Sequence, residues 1–146
     1  RNLQERCEGR LDEGTIGRYF MGDLGGEEVV TIDDLQQQDV GYCKKGTDVP
    51  FTGKTTGQTQ GTYKDGVLDG PYISYYNNDN GQLCRKGHYK DGKKDGPWVG
   101  YYYDGQLMEK GHYKDGKKDG PWVSYHADGT VDEKDTGTYK NGVKVD

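Results

Sequence analysis

The sequence predicts an all-β chain, a single-layer, twisted antiparallel β-meander of stacked hairpin repeats with a non-repeat N-terminal arm. Three observations carry this. Residues 86–99 and 110–123 are the same fourteen letters, KGHYKDGKKDGPWV, set 24 positions apart, and self-similarity at a fixed offset is the signature of repeat architectures. Asp-Gly pairs, which readily supply the positive φ of tight connections, alternate with short runs rich in Tyr, Trp and Val. Finally, Leu, Ile, Val and Phe make up only 22 of 146 residues, under the roughly 20% at which a chain is suspected of disorder. Thirteen Tyr and two Trp supply the missing burial, at about 150–250 Å² per ring. A thin, Tyr-lined sheet fits this better than a globule with a deep aliphatic core.

Residues 1–40 stand outside the repeat. Asn2–Leu11 reads as a short helix with Gly9 near its end. Gly14–Gly26 is an apolar knot of Tyr19, Phe20 and Met21 in a glycine frame, and Glu28–Ile32 (EVVTI) has the β-branched density of a strand. Two roles are open to this segment. It caps the first edge of the sheet, as terminal units of repeat proteins usually must, or it is an assembly arm that offers Tyr19, Phe20, Met21, Val29, Val30 and Ile32 to a neighbouring molecule.

From residue 41 the chain falls into phase as a repeat domain, 41–146. Gly46, Gly61, Gly87, Gly111 and Gly137 each end an x-x-G element. They divide it into units of about 45–60, 61–86, 87–110 and 111–136 and a half unit, 137–146. The first unit is shortened, and Pro50-Phe51 stands where Pro-Trp stands later. In a full unit DGKKDG turns the chain, Pro-Trp-Val opens a strand, and a second Asp-Gly leads into a longer return strand. Period two places Trp98, Gly100 and Tyr102 on one side and Val99, Tyr101 and Tyr103 on the other. On the return strand Leu107, Gly111 and Tyr113 share a face, opposite Met108, Lys110, His112 and Lys114. A mid-strand glycine weakens a strand unless it has a use. Here the use is to let a Trp or Tyr ring of the adjacent strand lie flat. The half unit leaves Thr138–Val145 as an edge strand without a hairpin partner.

The unit GxYKDGKKDGPWxxYYxxGQLxxKG, carried by Tyr89, Asp91, Gly92, Gly96, Trp98, Tyr101, Tyr102, Gly105, Leu107 and Gly111, resembles the MORN-type repeat in the variant of YwqK-like bacterial proteins. Ile32–Gly53, above all KKGTDVPFTG, resembles the lead-in of that family. The chain departs from the pattern at the shortened first unit and at His126, which replaces the second Tyr of a Tyr-Tyr pair. The resemblance implies a meander in which each unit adds one hairpin. It also implies scaffold or antitoxin-like roles, with phospholipid contact in some relatives.

No catalytic or metal-binding constellation is read. His88 and His112 are repeat equivalents on a lysine-bearing strand face, and His126 stands alone. Asp91 and Asp115 are flanked by Lys and are turn formers rather than calcium ligands or an acid–base pair. No GxSxG, HExxH or GxxxxGK[ST] pattern occurs. No cofactor is expected, and the chain reads as non-enzymatic. Its net charge of −5 resides in residues 1–48, which hold 11 acidic and 6 basic residues; the remainder balances at 14 and 14. A nucleic-acid or anionic-lipid surface needs a basic excess on one face to displace counterions; the chain offers none overall, so neither is expected as a partner, and a local lysine stripe is the one exception left open. No apolar run is long enough for a membrane-spanning helix. The chain begins at Arg1, as after trimming or removal of an export leader, which favours an extracytoplasmic or surface location. Cys43 and Cys84 occupy equivalent places two units apart, on the order of 20 Å, too far to bridge. That leaves Cys7–Cys43 as the open pairing, against three free thiols.

The expected function is therefore a repeat scaffold for a protein partner or for itself, with an aromatic packing and interaction face of Tyr72, Tyr76, Trp98, Tyr102, Trp122 and Tyr125. Self-assembly would run head to tail through the arm and the open terminal strands, into a fibre or surface structure. The alternative is an antitoxin-like protein that neutralises a toxin.

Overall fold

A computed structural model describes residues 27–77 and 81–146. β1 (Val29–Thr31) passes through a 3-10 turn, Ile32–Asp34, into the hairpin of β2 (Leu35–Gln38) and β3 (Gly41–Lys44). Then follow β4 (Gly53–Thr56), β5 (Thr59–Lys64), β6 (Val67–Tyr75) and β7 (Leu83–Lys90). The identical units give β8 (Lys93–Lys94), β9 (Gly96–Tyr101), β10 (Leu107–Lys114), β11 (Lys117–Lys118) and β12 (Gly120–Ser124). Last come β13 (Gly137–Lys140) and β14 (Val143–Lys144).

The main sheet runs β1-β4-β5-β6-β7-β9-β10-β12-β13-β14, with β8 beside β7 and β11 beside β10. Its pairings are antiparallel except β1 on β4. Strands in extensive contact are those paired in a sheet. The fold is the open, single-layer meander that the sequence predicts.

The turns explain the repeated Asp-Gly pairs. Asp65-Gly66, Asp91-Gly92, Asp115-Gly116 and Asn141-Gly142 all have positive φ at both residues, near 50° and then 81–85°, the geometry of two-residue hairpin turns that match strand twist. These turns stack. The Gly92 amide donates to the Leu68 carbonyl at 2.7 Å, Gly116 to Lys94 at 2.8 Å and Gly142 to Lys118 at 2.9 Å. The second aspartate of DGVLDG and of the first DGKKDG serves the next turn rather than its own: Asp69 Oδ1 accepts from the Asp91 amide at 3.1 Å, and Asp95 Oδ1 from the Asp115 amide at 3.5 Å. One unit therefore caps the hairpin of the following one.

The core is a set of cross-strand rows in which aromatics alternate with glycine. Gly61 pairs with Tyr72, Tyr72 with Gly87, Trp98 with Gly111 and Trp122 with Gly137. A parallel row pairs Gly70 with Tyr89, Gly96 with Tyr113 and Gly120 with Tyr139. A Cβ at Gly87 would fall inside the Trp98 ring, and one at Gly111 inside the Trp122 ring. The expected use holds at Gly87 and Gly111, with each indole leaning back over the preceding strand. Trp98 and Trp122 are each only 3% exposed.

Several expectations change. A bulge at Met108 makes Leu107 pair with Tyr101 while Glu109 pairs with Gly100, so Leu107 leaves the face of Gly111 and Tyr113. The half unit is not open: β13 pairs with β14, the Val145 amide donates to the Thr138 carbonyl at 2.8 Å, and Asp146 Oδ1 accepts from the Thr138 amide at 2.8 Å. Val29 lies in β1, and Val30 and Ile32 pack against Leu35, Phe51 and Tyr63. These three belong to the chain's own cap rather than to a free arm, because β-branched side chains find apolar partners in the shortened first unit. Tyr19, Phe20, Met21 and the helix expected over Asn2–Leu11 lie outside the described residues. Cys43 is a free thiol, fully buried, and the disulfide-bonded cysteine is Cys84. The Cys7–Cys43 pairing is therefore not formed: Cys43, within β3, is fully buried as a free thiol, and Cys7 lies outside the described residues.

Two stability tests follow from this packing. Gly111→Ala should cost about 1–3 kcal/mol, the range for overpacking a filled site, and much less in a Trp122→Leu background, since the two residues share one contact. Thermal melts of the four proteins in that cycle give the answer, and equal costs in both backgrounds would refute the ring-on-glycine contact. The second test concerns Trp98, whose indole N–H is buried with no partner among the described residues, whereas Trp122 Nε1 donates to Ser124 Oγ at 3.2 Å. Gly100 stands where Ser124 stands one unit later, and the nearest obstacles to a side chain there are the flexible Met108 and Glu109. Gly100→Ser should raise the melting temperature by satisfying a buried donor.

Candidate functional site

The two faces of β7–β13 differ in chemistry because the strand period separates them. On one face the rings pack edge to face and parallel: Tyr72 stacks on Trp98 at 6.4 Å and 11°, and Tyr113 meets Trp98 and Trp122 at 5.7 and 5.2 Å near 80°. The lysines of the short strands close this layer. Lys94 Nζ lies 4.4 Å from the Trp98 ring centre and 5.0 Å from Tyr113; Lys118 Nζ lies 4.5 Å from Trp122 and 4.9 Å from Tyr139. Each such contact contributes about 0.5–1 kcal/mol at an exposed site. This explains the second lysine of each DGKKDG.

The six aromatics expected on an interaction face are therefore mostly spent on packing. Trp98, Trp122 and Tyr76 are buried, at 3%, 3% and 2% exposure. Tyr76 and Tyr102 are staples between units: their hydroxyls donate to the Tyr101 carbonyl at 2.6 Å and the Tyr125 carbonyl at 2.7 Å. Tyr72 and Tyr125 are half-buried. The three buried rings have no surface left to offer a partner.

The opposite face was not singled out by sequence reasoning, although period two had already grouped Lys110, His112 and Lys114. Register lines its side chains in rows: Ile73, Lys86, Val99, Lys110 and Val123 in one, and His88, Pro97, His112, Pro121 and Thr138 in the other. A groove of about 750 Å³ crosses β7, β9, β10, β12 and β13, lined by Lys86, His88, Pro97, Val99, Lys110, His112, Pro121 and Val123 together with the intervening backbone and Asp146. Its floor is β-branched and proline carbon, and its lysines are exposed.

Electrostatics sharpen the contrast. Lys90 pairs directly with Lys93 and Lys114 with Lys117, and like charges directly opposite are destabilising. None of these four, nor Lys86 or Lys110, has a carboxylate at ion-pair distance among the described residues. Two nearby carboxylates, Asp69 and Asp95, are engaged in capping turns. The surface therefore carries local positive charge that the balanced total conceals. His88 and His112 both sit in the groove but on different strands, and among the described residues no three His, Cys, Asp or Glu converge as metal ligands.

Burial of the ring layer also raises tyrosine pKa values. Desolvation lifts Tyr113 to about 12, with Glu109 adding to it and Arg85 opposing. Tyr63 is raised further by burial and by Tyr42, and Tyr76, Tyr102 and Tyr139 are raised chiefly by burial. The folded state holds these protons more tightly than the unfolded chain, so their contribution is complete below about pH 10 and is lost as pH rises through the folded values. The melting temperature should stay level to about pH 9 and fall steeply between about pH 10 and 12. Tyr113→Phe should soften that fall, and a melting profile flat to pH 12 would contradict the burial of the ring layer.

Comparison with known families gives one match. A family model described as MORN repeat variant matches residues 68–91 and 94–115. The first span runs from within β6 through β7 into the Asp91-Gly92 turn, and the second from Lys94 through β10 into the next turn. Both spans thus cover the Tyr/Trp strands and the stacked turns. No curated protein matches the chain.

Proposed function

We propose that this MORN-type repeat protein is a non-enzymatic scaffold whose Lys/His/Val/Pro groove is its protein-binding surface. One observation carries the reading: an apolar groove of about 750 Å³ whose rim lysines lack carboxylate partners among the described residues, on the face that the rings leave free. An apolar floor with a charged rim is the anatomy of a protein interface. The non-enzymatic part is supported by the occupation of the repeated aspartates in turn hydrogen bonds and by the separation of His88 and His112 onto different strands.

Head-to-tail joining through open terminal strands is disfavoured, since Asp34 Oδ2 accepts from the Thr31 amide at 2.8 Å at one end and Asp146 covers Thr138 at the other. Blocking edge groups in this way is how sheets avoid edge-to-edge pairing. An antitoxin-like role would use the same groove, with a toxin as its occupant. Membership in the YwqK-like group rests on the lead-in Ile32–Gly53, and the bonded Cys84 favours an oxidising compartment.

Val99 and Val123 are half-buried on the groove floor, so the Val99→Asp/Val123→Asp variant tests the surface directly. Polypeptides retained by the immobilised wild-type chain should be lost by this variant while its near-ultraviolet circular dichroism stays native. An unchanged retained set would reject the groove as the binding surface.

A further inference from the structure

The cap end of the molecule carries side chains whose chemistry mirrors the groove. The β2–β3 hairpin turns at Asp39-Val40, and Val40 is 56% exposed. Asp48 and Val49 lie in the loop that follows β3, and Val49 is 67% exposed. Gln38, Asp39, Val40 and Asp48 border one surface hollow, so the hairpin tip and the start of the loop lie side by side, with exposed Val49 next to Asp48 in the chain; this patch is the knob. Asp39 and Asp48 are exposed and meet no cation at ion-pair distance among the described residues. Residues 27–48 hold six carboxylates against two lysines. Of the other exposed valines, Val143 and Val145 flank Lys144, whose charge has the same sign as the groove, and Val67 and Val131 lie near Asp69 and Asp132, whose carboxylates already accept from the Asp91 and Lys134 amides.

We propose that the occupant of the groove is a second copy of this chain, engaged through the Asp39-Val40/Asp48-Val49 knob. This rests on the reading of the groove as a protein-binding surface and names its partner. The two valines cover the apolar floor at Val99 and Val123, and the two aspartates face Lys86 and Lys110. The knob neutralises lysines that the chain's own carboxylates leave unpaired, and it covers two exposed aliphatic side chains in the same step. Knob and groove are different patches, so the contact is heterologous. Each copy added leaves one knob and one groove free, and the product is a linear or ring-closed series rather than a self-limiting pair. The link is made by side chains and differs from main-chain pairing of terminal strands.

Sedimentation velocity of the full chain over a concentration series provides the test. The wild type should form a ladder of species that lengthens with concentration and shortens in high salt, which screens the aspartate–lysine pairs. Val40→Lys removes the knob and Lys110→Glu reverses the groove; both positions are exposed, so both variants should keep native circular dichroism. Each alone should associate at least about tenfold more weakly, the loss of about one hot-spot contact. Mixed in equal amounts, they should give a dimer and nothing larger, because only one intact knob and one intact groove can meet. A wild type that stays monomeric throughout, ladders that persist in either variant, or a mixture without dimer would each overturn the proposal. If the wild type is monomeric but Val99→Asp/Val123→Asp still loses a bound polypeptide, the groove remains a binding surface for a different partner. If that loss is also absent, both readings fall.

Discussion

The contact on which this sheet depends is an indole ring lying on a glycine of the preceding strand. A single-layer sheet has no second layer to bury its apolar face, so apolar surface must be hidden within the layer itself. Alternating aromatic and glycine along a cross-strand row achieves this, since the glycine leaves a trough one ring deep and the ring from the next strand fills it. Trp98 and Trp122 reach near-complete burial in this way, with tyrosines at their edges and lysine ammonium groups over their faces. Offset and edge-to-face ring pairs each add about 0.5–1.5 kcal/mol beyond their area. The low aliphatic content is then a consequence of the architecture.

The same constraint ties the units together. Tyr113 packs against both Trp98 of the unit before it and Trp122 of its own, Asp69 and Asp95 cap turns one unit later, and the Tyr76 and Tyr102 hydroxyls reach carbonyls of the next unit. A unit alone would lose these ring contacts and leave its turn amide and hydroxyl unpaired, so stability is propagated by neighbours, as in other repeat proteins. The ends need other solutions. At the start, Leu35, Phe51 and Tyr63 form a small aliphatic-aromatic cap core with Val30 and Ile32. At the end, Lys144 and Asp146 lie against Gly137, where the next ring would stand, and His126 replaces the tyrosine whose staple would have needed a following unit.

Commitment of the aromatic face to packing decides where function can lie. With the rings used internally, the opposite face is free to carry side chains chosen for a partner, and it carries lysines placed in mutual opposition at Lys90–Lys93 and Lys114–Lys117. Such pairing costs stability in the isolated sheet, and an anionic occupant would relieve it. A total charge close to balance hides this, because the offsetting carboxylates are in the turns and the cap.

The repeats, their two-residue turns and the need for a ring over Gly111 were legible in the sequence because turn chemistry and period-two alternation act over a few residues. The aspartates of DGKKDG were read as turn formers from composition alone, and their bonding bears that out. What sequence could not supply were relations across strands. The bulge at Met108 moved Leu107 to the other face, and the fold-back of Val145 and Asp146 closed an edge that appeared open in one dimension. Cys43 was buried as a free thiol while Cys84 formed the disulfide. The groove is the clearest case: His88, Pro97, His112 and Pro121 are far apart or merely periodic along the chain, and only register brings them into one row. Local chemistry fixes where a chain turns and which residues alternate, whereas the surface a partner meets depends on strand pairing, which only the folded sheet determines.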